Sequence, residues 1–550
     1  MGDWVCVFMW IYWRRNHLWT KFWFYRSKSL PTPYFVHLKN DLSPLRAYYP
    51  IDTTKRVSVM NTLENRVSEL LASFGDSSDV KTRYIKLPGD GQLSACLLYI
   101  ENIVDTMSIQ EHIIEPMLQK PVPEEKDRFF PFLVQEVLQV SDLKIVTETG
   151  KVIDKLVNGA TIILFDGQAD VLTADTSKWE ERSLSNPKGQ RTVQGPDIGF
   201  TESRSGNVAL IRKYIKNPTL KVQTQTYGKI TNTSVTLVYL EHLVDADILS
   251  SIQNKLDEMP YDSVIGSNYI TEYLTKDSKS LFPLILNSDR PDVAAAEILE
   301  GRVCIVVDGT PFVLIAPAVL IQFFQSPDDY YLSSEATKYV RPLRFIFFWL
   351  SLYIPGLYVA FTTFHKGLLP VNLLVGFTAQ QQAVPFPTVF ETLLVLSLTD
   401  AIYEGSSRLP QNLVITISLF GAIVFGQASV EAQLVQPVTL VIISISFIFS
   451  SIIPIASLNY SVRIIKISLI LIGALLGLYG IALFTLLLLV HLCYLRSFSV
   501  PYFAPISPFS RQDMDKDVFI RKPMPEINHN IPGFHKEEDM EGQPKKENDS

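Results

Sequence analysis

Residues 467–492 read ISLILIGALLGLYGIALFTLLLLVHL, with no acid, lysine or arginine from Leu469 to His491. A helix crossing about 30 Å of hydrocarbon needs about 20 such residues at 1.5 Å each, so this run is expected to span a membrane. Its glycines, Gly473, Gly477 and Gly480, are spaced four and three apart. On one continuous helix that spacing lays a face of small residues against a neighbour, so the three are expected as helix-packing positions.

Working outward, Leu343–Phe361, Leu413–Val430 and Leu434–Ile455 are further apolar runs. Pro355 and Gly356 can kink the first, which membrane helices tolerate. Four spans are the minimum. Residues 384–402 are ambiguous because Glu391 and Asp400 interrupt an apolar stretch, so five or six remain open. Lys338, Arg341 and Arg344 before the first span, and Arg496, Arg511 and Lys516 after the last, favour the cytoplasm at both ends and hence an even count. Arg463 and Lys466 then fall on the wrong side of a four-span arrangement. Mean hydropathy is +0.16, high for a soluble enzyme. The net charge of -7 gives no basic excess for nucleic acid.

An ionisable group in hydrocarbon is costly and normally faces protein or water. Glu391 lies among Phe390, Leu393 and Leu394, and Glu431 lies in GQASVEAQLV with Gln427 nearby. Glu391, Gln427 and Glu431 are therefore the expected gate or path positions. The plainer reading of Glu431 is a connection between helices, and Arg408 is available to neutralise either acid.

Ahead of these runs the chain reads as a soluble α/β region, residues 60–310. Residues 62–76 have helical apolar spacing ended by Gly75, Ala95–Ile100 reads as a buried strand, and 107–118 as a helix. Asp166-Gly167 follows the apolar run 161–165 as a hairpin turn, and Asp308-Gly309 follows the strand Val303–Val307 in the same way. The stretch 97–113 resembles 237–252: Tyr99, Glu101, Val104 and Asp105 match Tyr239, Glu241, Val244 and Asp245 at a constant offset of 140. Two related subdomains follow, each with a strand and an Asp that caps the next helix rather than catalysing. Residues 182–207 read as a long polar loop, and Arg212, Lys213 and Lys216 as a solvated basic face or a membrane or subunit contact. Asp289 is expected to cap a helix over 289–299 with Pro291 early in it. Residues 311–342 read as a linker in which Phe312–Phe324, broken by Pro317, is interfacial or re-entrant.

Residues 343–509 form the transmembrane domain, and 510–550 a disordered charged tail. Residues 1–59 are an aromatic and basic extension, read as an interfacial anchor, as sequence ahead of a true start at Met60 or an earlier codon, or as an element peculiar to this chain. The fold class is thus a soluble α/β region of two related subdomains followed by an all-α polytopic transmembrane domain. The four cysteines form no pair motif, Cys493 reads as buried filler, and no zinc, nucleophile-elbow or phosphate-loop signature is present. No metal, cofactor or enzymatic activity is expected.

Several ordered segments carry a resemblance: DRPD at 289–292, EGRVCIVVDGTPFVLIAP at 300–317, FFQSPDDYY at 323–331 and YVAFTTFH at 358–365. VPFPTVFE at 384–391, FGQASVEAQLVQP at 425–437, LRSFSVPYFAP at 495–505 and, earlier, FGDSSDV at 74–80 complete it. The chain resembles the A subunits of bacterial spore germinant receptors, the GerA-like family, from about residue 60 to 509. It departs from the family's usual pattern at Asp197-Ile198 and at Ser288-Asp289, and in its first fifty residues. The resemblance implies a spore inner-membrane complex with a transporter-like B subunit that binds nutrient and a lipoprotein C subunit. It implies an A subunit that oligomerises and forms a nutrient-gated ion channel; the charge bias given above is what places the soluble region in the cytoplasm. The rival readings are a transporter binding its own substrate and a non-conducting scaffold or sensor.

Overall fold

The computed structural model describes residues 62–75, 77–88, 93–120, 126–178, 186–187, 189–510 and 517–522. The extension read at 1–59 lies outside them.

Two five-stranded antiparallel sheets of one topology make the soluble region. The first, β1 (Val80–Lys86), β2 (Ser94–Ile100), β3 (Leu143–Val146), β4 (Ala160–Phe165) and β5 (Val171–Asp175), is ordered β1-β2-β4-β5-β3. The second, β6 (Leu220–Tyr227), β7 (Thr233–Leu240), β8 (Leu286–Ser288), β9 (Val303–Val307) and β10 (Val313–Ala316), is ordered β6-β7-β9-β10-β8. The offset of 140 extends to strand register: Arg83 pairs with Leu97, and Gln223 with Leu237. The central strands β4 and β9 are buried at every position, which is why they read as unbroken apolar runs. Gly167 and Gly309, at φ 69° and 79°, make the two matching turns, a backbone region open to glycine.

Asp105 and Asp245 cap helices as expected. Asp105 Oδ1 accepts from Met107 N at 3.1 Å and Ser108 N at 3.4 Å. Asp245 Oδ1 accepts from Asp247 N at 2.8 Å and Ile248 N at 3.4 Å. Helix α1 (Leu63–Phe74) buries Leu63, Val67, Leu70 and Phe74 and ends at Gly75 in the left-handed region. The remaining helices used below are α2 (Arg204–Tyr214) and α3 (Pro291–Leu299). The cap of α3 is Arg290, not Asp289, whose carboxylate instead accepts from Gly189 N at 2.5 Å.

The units meet at a polar seam. Arg212 on α2, expected on a solvated face or at a membrane or subunit contact, is 1% exposed and binds Asp79 through Nε and, at 2.9 Å, through a terminal nitrogen. Ser78 N donates to Val222 O at 2.8 Å, and Val222 N donates to Ser77 Oγ at 3.0 Å, so Ser77 and Ser78 cover the edge strand β6.

Residues 312–324 are neither interfacial nor re-entrant. Val313–Ala316 is a buried strand of the second sheet, and Leu320–Phe324 a buried 3-10 turn. Pairing on both sides, to β8 and β9, satisfies the backbone of β10.

The helical part comprises α4 (Ser334–Thr363), α5 (Val371–Ala383), α6 (Thr388–Ser407), α7 (Gln411–Gly421, continued by a π segment to Ala428), α8 (Pro437–Ser451) and α9 (Ala456–Tyr494). By length and composition α4 and α9 can each cross a membrane, and α5 with α6, bent by 78°, is a third if counted as one span. The run read as Leu434–Ile455 holds a helix of 15 residues, about 22 Å.

The opening stretch of sequence is not one straight helix. Gly477 has φ 62° and ψ −147°, outside helical values. Ser461 donates to Leu281 O, and His491 Nε2 lies 3.0 Å from Ser280 Oγ. On a straight helix those two residues would stand about 45 Å apart. A Cβ on Gly480 would lie 2.8 Å from Ile472 Cγ2, so the second arm folds back on the first. The three glycines therefore do not share one face. Gly473 packs against Gly356 of α4, Gly477 makes the turn beside His365, and Gly480 lets the two arms close.

The contacts give each leg a direction. The first arm of α9 runs parallel to α4, since Gly356 meets Leu469 and Gly473 while Gly477 meets Phe364 and His365. Helix α8 runs against α4: Tyr358 meets Thr439 at 2.9 Å, and Ser446 donates to Ser351 O at 2.6 Å. Helix α6 descends from Glu391, beside Gln436, to Asp400, beside Arg463. The stretch 411–431 must climb back to the start of α8. Arg463 lies beside Asp400 and Lys466 beside Ser450, on the part of the first arm where Ser461 reaches Leu281 O. Cys493 is exposed on the second arm, not buried.

Candidate functional site

Two polar clusters stand out, one at each end of the bundle. The lower one is built on SPDDYY, at the entry to α4. Asp329 is 1% exposed. It accepts from Arg341 Nε at 2.9 Å, from Arg344 at 3.0 and 3.2 Å, and from Ser326 N at 3.1 Å. Burial pushes the Asp329 carboxyl up, but the Arg344 hydrogen bond and the two arginine charges outweigh it and hold the group below its usual value. Arg341 and Arg344, taken above as topology signals, are consumed in this cluster. Asp517 joins it, accepting from Arg341 at 2.6 Å and from the Tyr330 hydroxyl at 2.7 Å. Arg521 donates to Asp329 O and, at 3.2 Å, to Leu332 O. Part of the tail read as disordered therefore packs at the base of α4; the stretches 511–516 and 523–550 lie outside the described residues.

The same region holds the 189–200 loop. Arg290, fully buried, pairs with Asp292 at 2.7 Å and donates to Pro196 O at 2.9 Å and Thr192 Oγ1 at 3.0 Å. Asp328 Oδ1 accepts from Val193 N at 2.9 Å and Gln194 N at 3.3 Å. The DRPD and SPDDYY segments thus grip one loop between them.

The upper cluster is the bridge at Glu391. Its carboxylate is fully buried and accepts from Gln436 N and, at 2.9 Å, from Gln436 Nε2. Gln436 caps α8, so the acid sits where the helix leaves amide hydrogens unpaired and where negative charge is favoured. Tyr358 of α4 reaches Gln436 Oε1 at 3.4 Å and Thr439 Oγ1 at 2.9 Å. Three helices, α4, α6 and α8, are tied together there. Gln427 and Glu431 are exposed on the outside of the protomer and are not part of the bridge. Arg408 pairs with Glu404 at 2.5 Å rather than with Glu391 or Glu431. Asp400 serves Arg463, at 3.5 Å, and the buried Lys466 bonds Ser450 at 3.0 Å.

Gln436, Thr439, Tyr358, Asp329 and Asp517 were missed as site residues. Gln436 lies in a quoted segment and is polar inside an apolar neighbourhood, which is a usable signal. Asp517 sits in charged sequence and carries none. Among the described residues no group of three or more His, Cys, Asp or Glu is arranged to hold a metal ion.

One apolar core runs without a break from the second sheet into the helices, from Phe200, Val222 and Val306 through Phe323 and Phe348 to Leu469 and Leu492. The hairpin after α9 seals it: Ser497 Oγ donates to Leu284 O at 2.7 Å, and Leu320 N donates to Tyr502 O at 2.8 Å.

Residues 68–531 match the family described as Bacillus/Clostridium GerA spore germination protein. Spore germination protein KA of Bacillus subtilis (strain 168) is 37% identical over 467 residues, 85% of this chain and 86% of that protein. Spore germination protein B1 of the same organism is 33% identical over 476 residues, 85% of this chain and 96% of that one. The crystal structure of the N-terminal domain of the A subunit of the Bacillus megaterium spore germinant receptor GerK3 is 28% identical, covers 48% of this chain and 98% of its own, and superposes with a TM-score of 0.39.

Proposed function

The chain belongs to the GerA spore germination protein family, and on that premise we propose that it is the A subunit of a nutrient-responsive germinant receptor that oligomerises and forms or gates an ion path. Its membrane part crosses six times: α4, α6, the 411–431 segment, α8 and the two arms of α9. Both ends of the bundle return to the soluble units, which lie in the cytoplasm. The receptor sits in the spore inner membrane with a transporter-like subunit that binds nutrient and with a lipoprotein subunit.

The observation that carries this reading is the unbroken core between the second sheet and the bundle. Packed cores resist continuous deformation, so a displacement of the soluble units is passed to α4 and α9 rather than absorbed at a hinge. Gln427 and Glu431, exposed on one protomer, become useful to a path only when copies surround an axis. Glu391 acts from within the protomer, as the brace that keeps α6, α8 and α4 in register. The test is nutrient-triggered potassium release from spores carrying wild type, E391Q or E431Q, with subunit levels measured by immunoblot. Altered release at wild-type level supports a gate; normal release in both variants sinks it.

A scaffold that conducts nothing is the second reading. The burial of Glu391 in a fully bonded bridge favours it, since the acid then has no exposure to a path. It predicts that E391Q lowers subunit level and leaves release per subunit unchanged.

A further inference from the structure

We infer that the segment Asp517–Lys522 is a strap that fastens the base of α4 to the Gln325–Leu332 stretch leading into it and is released when the receptor responds. This deepens the receptor reading and, in its regulatory half, rests on it. Among the described residues the segment contributes no strand to either five-stranded sheet. It lies on a finished core, separated from the hairpin that seals that core at Arg496–Pro501. Its hold is nevertheless specific. Asp517 takes Arg341 and the Tyr330 hydroxyl, Gln325 Nε2 donates to Asp517 O at 2.8 Å, and Arg521 bonds the carbonyls of Asp329 and Leu332. Val518 is buried, and Phe519 packs edge-on to Phe345 of α4 at 5.0 Å.

These partners cluster on the short stretch from Gln325 to Phe345, where the soluble region becomes the first membrane helix. The charges explain why the strap is removable. Within the cluster Asp517 and Arg521 leave as one acid and one base, so the net charge left behind is unchanged, while the half-buried Lys522 goes with them. Arg341 and Arg344 keep Asp329 as partner. A buried pair stripped of one member would instead strand a charge. A strap that binds one arrangement of α4 better than another shifts the balance between them by that difference.

The experiment compares full-length wild type, R521Q and D517N in membranes by hydrogen exchange, and in spores by potassium release against nutrient dose. In both variants, amides of 328–345 are expected to exchange about tenfold faster or more, while those of 160–175 stay protected as the internal control. Release is expected to begin at lower nutrient concentration. Unchanged exchange at 328–345 overturns the strap. Faster exchange with an unaltered dose response, or with release lost at wild-type subunit level, overturns its restraining role. D517N, nearly isosteric, decides where R521Q loses protection in both segments. If wild type itself fails to restore nutrient-triggered release to spores lacking the subunit, the receptor reading fails, and the exchange result still judges the strap.

Discussion

Arg212 and Asp79 close the seam between the two α/β units through two hydrogen bonds, with the guanidinium 1% and the carboxylate 4% exposed. The same guanidinium donates to Leu220 O at 3.1 Å and Ser77 Oγ at 3.2 Å. Removing one member of such a pair strands a buried charge, so R212A and D79A should each cost about 3–5 kcal/mol. The double variant should lose less than the sum of the two. Pulse proteolysis in urea on the solubilised chain measures all three; strict additivity would show that the two residues do not depend on one another.

The two capping aspartates give a paired prediction. D105A and D245A should each cost about 1 kcal/mol, the usual value of an N-cap. Asp105 also meets Lys178 at 3.0 Å, and that hydrogen bond, more than its bonds from Ser108 and Met107, holds its carboxyl below the usual value. D105N should therefore lose more than D245N, and the excess should shrink in high salt. Equal losses for the two Asn variants at low salt would contradict the assignment.

Acid should loosen the junction at Asp329. Its carboxyl is held low in the folded chain, so its contribution to stability is complete above the unfolded carboxylate pKa, about 3.9, and is lost as pH falls through the lower folded value. Hydrogen exchange of 328–345 should accelerate as pH drops below about 4 after correction for intrinsic rates. D329N should be loose already at neutral pH and should change less with acid. A D329N profile that overlays the wild type would remove Asp329 from the junction.

The reversal at Gly477 predicts sidedness. Tyr460, on the first arm of α9, and the exposed Cys493, on the second, should be labelled from the same side of the membrane, with Y460C as the probe for the first. Y479C, next to the turn, should label from the opposite side. A single span through α9 would put positions 460 and 493 on opposite faces.

The soluble fold was largely legible because its determinants are local. The Asp caps and the Asp-Gly turns are each readable within a few residues, and the repeat shows when the two short stretches 97–113 and 237–252 are laid side by side. Strand Val313–Ala316 was misread because a buried central strand and a membrane-dipping segment are both short apolar runs; only its pairing with β8 and β9 tells them apart. The α9 hairpin was hidden for a related reason. Gly477 looks like the other two glycines until its positive φ is seen, and hydropathy counts residues without registering a reversal. Glu391 was legible as costly, but its partner was not: Gln436 stands 45 residues away and only the packing of α6 against α8 joins them. The ionic cluster at Asp329 depends on Asp517, 188 positions later by difference of number, and nothing local in the tail marks it.

The most direct test of a gated ion path is potassium release from spores carrying E391Q, with nutrient and without, normalised to subunit level by immunoblot. The amide places a donor where Gln436 Nε2 already donates, so the bridge between α6 and α8 weakens without a change of shape. The account predicts normal subunit level with slowed release, or with a leak before nutrient is added. Normal release at normal level would contradict it.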